Sequence, residues 1–257
     1  MKSIFVGFTA IVVLLFAVPL YAQEAGSLAD LIARGDAAFE RFDNQAAMES
    51  YQKALEIDPQ NYEATWKLAR AYVDVGEKLD DKDQRKTYYG RAHQMAKKAV
   101  EIDPSHAKGH LYLSIALGRV ALDAGAKERV KLSKEVKRAV DKALTIDPKD
   151  DSAWHVLGRW HRKLSNLSWI EKKFANIFLG GVPKEASMEK AVECFKKAIQ
   201  FNEAHINHHL ELAMTYETAG KKDQAIAEYR EVLELPVNDA DDEDHKAEAE
   251  KRLKKLE

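Results

Sequence analysis

The chain has 257 residues, 32% of them charged and 9% aromatic, which excludes both wholesale disorder and a chain embedded in membrane along its length. Forty Lys and Arg face 42 Asp and Glu, so the formal charge of −2 offers no long-range pull on nucleic acid, and none is expected as a partner. Six prolines and twelve glycines leave long stretches free for helix, and the single cysteine rules out an intramolecular disulfide.

Met1-Lys2-Ser3 is a short positive start, followed by an apolar run from Ile4 to Leu20. Pro19 breaks that run, and Leu20-Tyr21-Ala22 precedes polar Gln23-Glu24. This is the layout of a secretory signal peptide over residues 1–22, with cleavage expected after Ala22. The alternative is an uncleaved anchor that keeps residues 1–22 in a membrane. No cysteine follows the run, so a lipoprotein is excluded. Either way the rest of the chain is expected outside the cytoplasm, in a periplasmic or extracellular space.

Beyond the leader, Glu56-Ile57-Asp58-Pro59 recurs as Glu101-Ile102-Asp103-Pro104 and as Thr145-Ile146-Asp147-Pro148. Each phrase closes an apolar helix at a proline that cannot continue it. Repetition at this length predicts a stack of helix pairs. Within it, small and aromatic residues fall in the order of tetratricopeptide repeats: Gly35, Ala47, Tyr51, Ala54 and Pro59 in the first copy, Trp154, Leu157, Gly158, Ala191, Phe195 and Ala198 in the fourth. The expected fold is an all-α, right-handed α-solenoid of five such helix pairs at about 28–61, 62–106, 107–150, 151–205 and 206–239, with a capping helix over about 241–256.

Repeats two to four exceed the usual length. The additions lie near Glu77–Gln84, Asp123–Lys131 and Lys163–Ser187, the first two reading as helix extensions. In the last, at 163–187, Ile170, Phe174, Ile177 and Phe178 follow helical spacing beside Trp169, with Lys172 and Lys173 opposite. That stripe reads as a lid over an apolar ligand, as a helix that touches a membrane surface, or as a helix packed on the solenoid. Further on, the acidic stretch from Asp239 to Asp244 leads into a helix with solvated i,i+4 pairs.

Trp154-His155-Val156-Leu157-Gly158-Arg159-Trp160, Leu167-Ser168-Trp169-Ile170-Glu171-Lys172-Lys173, Gly180-Gly181-Val182-Pro183 and Leu233-Glu234-Leu235-Pro236 are more specific than generic repeat sequence. Over about residues 150–237 they make the chain similar to the regulator of microtubule dynamics protein family. The resemblance implies a tetratricopeptide-like helical domain, association with microtubules and spindle poles and, for some members, an N-terminal membrane anchor.

In a solenoid the first helix of each pair lines a concave groove. The residues expected there are basic Arg70, Lys108, Arg119, Arg159 and Arg162 with His155, and apolar Trp66, Leu111 and Ile115, flanked by Asp74, Ser152 and Lys163. Arginine forks suit carboxylate or phosphate, so a protein or peptide partner is expected, with an anionic amphiphile such as a phospholipid as the alternative. The competing reading pairs these cations with acids of neighbouring repeats. His205, His208 and His209 read as a surface cluster, and no metal or cofactor is expected. No phosphate-binding loop, nucleophile elbow or zinc-protease motif occurs, so no enzyme is expected. Cys194 falls in an apolar pattern and reads as an inert buried thiol.

Overall fold

The computed structural model describes residues 26–167, 173, 181, 183 and 185–257. The leader-like segment and the insert residues Trp169, Ile170, Phe174, Ile177 and Phe178 lie outside the described residues. Eleven α-helices make up the described chain: α1 (Leu28–Phe39), α2 (Asn44–Ile57), α3 (Tyr62–Glu77), α4 (Lys82–Ile102), α5 (Ala107–Val120), α6 (Ala126–Ile146), α7 (Asp151–Ser165), α8 (Met188–Phe201), α9 (Ile206–Thr218), α10 (Lys222–Glu234) and α11 (Asp242–Leu256). They stack as five antiparallel pairs and a final helix, the α-solenoid expected from the repeats. No described helix is long and apolar enough to cross a membrane.

Helix boundaries follow from local chemistry. Asp43, Asn61, Asp81, Asp150 and Ser187 stand at N-caps and accept from a backbone N–H three residues on, meeting donors that the first turn leaves free. At the repeat junctions the aspartate of the recurring phrase closes a tight turn. Asp58 accepts from the N–H of Gln60 at 3.0 Å, Asp103 from that of Ser105 at 2.9 Å, and Asp147 from that of Lys149 at 3.0 Å. The proline between has no N–H to offer a continuing helix, so phrase and turn are one device repeated three times.

The surplus length of repeats two and three resides in their second helices. Both α4 and α6 run 21 residues against 14 for α2. Seven extra residues add about 10 Å of helix at 1.5 Å each, extending the outer wall at its N-terminal end.

Within each pair, small residues bring the two helices together. Alanines 47, 54, 92, 99, 143, 153, 191, 198, 213 and 225 are wholly buried, and Tyr51, Phe195 and Tyr229 fill the space between. Burying one such aromatic contributes about 2–3 kcal/mol. Gly35 and Gly158 are the tight points: a Cβ there would sit 2.3 Å from the Tyr51 ring or 2.8 Å from the Phe195 ring. Beyond neighbouring pairs, α3 touches α5, α5 touches α7, α7 touches α9 and α9 touches α11. The first helices of the pairs therefore line the inner side. Cys194 is buried in the core and its thiol is pushed up to about 12 by burial, as an inert packing residue requires.

Gly158→Val should lower stability by about 1–3 kcal/mol in urea unfolding, because the added carbons meet the Phe195 ring. Combined with Phe195→Leu the cost should be less than additive, since the smaller side chain vacates the contested space.

Candidate functional site

On the inner side of α3, Trp66, Arg70 and Asp74 share a face at four-residue spacing. The Trp66 ring stacks on Tyr112 of α5 with centroids 5.5 Å apart and 11° between planes. The Arg70 guanidinium lies 3.5 Å over the Phe39 ring and donates to the Tyr51 hydroxyl at 3.3 Å. Tyr51 in turn donates to Asp36 at 2.8 Å, and Lys67 donates to the other Asp36 oxygen at 2.7 Å. One Asp74 carboxylate oxygen, Oδ2, is buried without a hydrogen-bond partner. Burial raises the Asp74 pKa to about 7; the Arg70 charge opposes the shift, while Asp239 and Asp241 add to it.

Further along the groove, Arg119 of α5 pairs with Glu77 of α3. Burial, and then the Arg159 charge, hold its pKa down to about 10. On α7, Arg159 reaches Glu211 of α9 at 3.4 Å, and Arg162 pairs with the same carboxylate. Glu211 is only 6% exposed, so one buried carboxylate serves two guanidinium groups. Lys163 makes no ion pair among the described residues. Its side chain reaches solvent but is partly desolvated by surrounding protein, and Arg159, Arg119 and Arg162 add positive field that the Glu211 charge opposes. Desolvation first and the arginine charges second lower its ammonium to about 8.

The structure thus gathers Trp66, Arg70, Asp74, Arg119, Arg159, Arg162 and Lys163 along the inner wall, with Ile115 half-buried among them. Three expected groove residues, Leu111, His155 and Lys108, are not there. Leu111 is 1% exposed and belongs to the core, and His155 lies edge-on to Phe195 with its ring covered. Each first helix is flanked by its own partner and by the next repeat, which leaves a narrower open stripe than the repeat register suggests. Lys108 points to the following junction, where it pairs at 2.8 Å with Asp150, the N-cap of α7.

The histidines are also placed differently from expectation, since His208 is 1% and His209 8% exposed. The His208 Nδ1 lies 2.9 Å from the His155 Nδ1, and its Nε2 lies 2.9 Å from Asp151. His209 faces Glu228 at 2.8 Å and the Glu203 carbonyl at 3.1 Å. These partners let the rings be buried, and His208 and His209 are engaged in separate networks. No group of three metal-binding side chains occurs among the described residues.

Sequence reasoning missed the carboxylates Glu77 and Glu211, which have no motif of their own. The only signal would have been their position on first helices beside the basic stripe. Nor did sequence reasoning assign any partner to the Asp239–Asp244 stretch, in which Asp241 and Asp244 bind Lys78 at 2.6 and 2.9 Å. Beside that contact an open cavity of about 340 Å³ is lined by Glu77, Arg85, Tyr89, Arg119, Leu122 and Asp123.

The family model described as Regulator of microtubule dynamics protein 1-3 matches residues 31–257. The chain belongs to that family. Its resemblance to regulators of microtubule dynamics therefore runs well beyond residues 150–237. Regulator of microtubule dynamics protein 3 of Rattus norvegicus is 33% identical over 133 residues, 52% of this chain and 28% of that protein. Regulator of microtubule dynamics protein 1 of Caenorhabditis elegans is 27% identical over 224 residues, 87% of this chain and 98% of that protein. This chain thus spans under a third of the rat relative's length but nearly all of the nematode one's. Among solved structures, a thermophilic tetratricopeptide-repeat protein of Thermus thermophilus superposes with a TM-score of 0.64 at 22% identity, covering 87% of this chain and 98% of that one. That likeness bears on the fold alone.

Asp74 supplies a pH signature. Its folded-state pKa lies above the ordinary carboxylate value, so the charged form costs stability as pH rises from about 4 through about 7. Asp74→Asn should be more stable than the natural chain by about 1–2 kcal/mol at pH 8, with the gap closing near pH 4, in chemical unfolding followed across that range.

Proposed function

We propose that the chain is a non-enzymatic binding module whose concave face holds an acidic segment of a protein partner. One observation carries this reading. Five cations (Arg70, Arg119, Arg159, Arg162 and Lys163) line successive first helices against three carboxylates, Asp74, Glu77 and Glu211. Lys163 is left without an ion pair among the described residues, and a peptide carboxylate would supply one. Arginine and lysine crowded in a concavity bind anionic groups more strongly than the same side chains spread over a convex surface.

The relatives' name brings a role in microtubule dynamics, which for this chain stands as one setting for such binding. The leader-like pattern of residues 1–22 supports work outside the cytoplasm. Intact mass of the purified protein bears on this choice, since a chain beginning at Gln23 has passed a signal peptidase.

Fluorescence anisotropy with a labelled poly-glutamate peptide tests the groove. Binding should weaken with added salt, and Arg159→Gln with Lys163→Gln should reduce affinity about tenfold or more. A poly-glutamine control should not bind. Equal binding by the variant would remove the groove from the reading. Capture of anionic vesicles in place of the peptide would favour the amphiphile carrier.

A further inference from the structure

An acidic segment of this chain already contacts Lys78, which caps the C-terminal end of α3 next to groove residue Glu77. The connection between α10 and α11 returns to the far end of α3, more than 160 residues earlier in sequence. There the Lys78 ammonium lies 2.6 Å from Asp241, 2.9 Å from Asp244 and 3.4 Å from the Ala240 carbonyl. The segment arrives already shaped. Asp242 is 1% exposed, and its Oδ2 accepts from the N–H groups of Asn238 and Asp239, both at 2.8 Å. Its buried carboxylate holds the turn, while Asp241 and Asp244 project onto Lys78. Lys78 directly follows Glu77, which lines the open cavity together with Arg85 and Arg119. The Asp241 charge is felt at Arg119, at Asp74 and at Tyr89. A turn built this way meets the mouth of a cation-lined groove with the chemistry proposed for the partner.

We propose that the 239–244 segment is an intramolecular latch that occupies the α3–α5 mouth of the groove and is displaced by the acidic segment of a partner. This rests on the groove reading above. A tethered competitor lowers apparent affinity by the fraction of time the mouth is closed, without adding any contact to the partner. Lys78 then exchanges one set of carboxylates for another.

Asp241→Asn with Asp244→Asn removes the latch charges and keeps both Lys78 and the turn-holding Asp242. Asn is a competent residue at the α11 N-cap, so the fold should survive. Poly-glutamate should bind this variant about five times more tightly than the natural chain. Glu231→Gln with Glu234→Gln, exposed on α10 and equal in charge change, should not reproduce the gain. Hydrogen exchange of the 238–244 amides should quicken in the latch variant, and in the natural chain when the peptide is added. Binding by the natural chain with no gain in the latch variant, or a gain matched by the α10 control, would overturn the latch alone. Unchanged exchange at 238–244 on peptide addition would do the same. Absence of peptide binding by every form would sink both the latch and the groove reading.

Discussion

The close approach of the two helices in each pair is the constraint on which everything else rests. Where Gly35 faces Tyr51 and Gly158 faces Phe195, there is no room for one more carbon, and buried alanines repeat the pattern between these points. A helix pair held this tightly has a fixed wedge shape, and stacked wedges curve. Curvature puts the first helices on the inside. Side chains that would diverge on a flat surface are turned toward one another there.

Electrostatic consequences follow from that geometry. Arg119, Arg159, Arg162 and Lys163 come from two helices and share little acid among them. The chain answers partly by burying Glu211 between Arg159 and Arg162 and by pairing Arg119 with Glu77. Buried ion pairs of this kind contribute little net stability, because desolvation offsets most of the attraction. They do hold the guanidinium groups in fixed places. Specific placement, rather than extra stability, is what a recognition surface needs. The acidic turn on Lys78 belongs to the same field, and it joins the last repeat to the second.

The repeats were legible in the sequence because each part of the device is local. The Asp-Pro phrase writes its own turn, and glycine or alanine against an aromatic at fixed spacing writes the helix–helix contact. Helix extensions at the start of α4 and α6 were legible for the same reason. The open stripe was only partly so. Arg70, Arg119 and Arg159 could be placed from register, but Leu111 and His155 could not, since what covers them comes from other helices. His208 looked like surface because its partners, Asp151 and His155, lie more than fifty residues away. Glu211 and the Lys78 contact were illegible because they depend on how far the stack curves, a property of all the repeats together.

Lys163 is the most sensitive probe of the cation-lined groove, because its ammonium sits in the field of three arginines that Glu211 only partly offsets, and it makes no ion pair among the described residues. Nitrogen-15 NMR of the lysine side chains, titrated against pH with and without the poly-glutamate peptide, reads that field at one atom. A pKa near 8 is expected in the free protein, moving upward toward the ordinary lysine value when the peptide binds. An ordinary lysine titration in the free protein, unmoved by the peptide, would contradict a cation-lined binding groove.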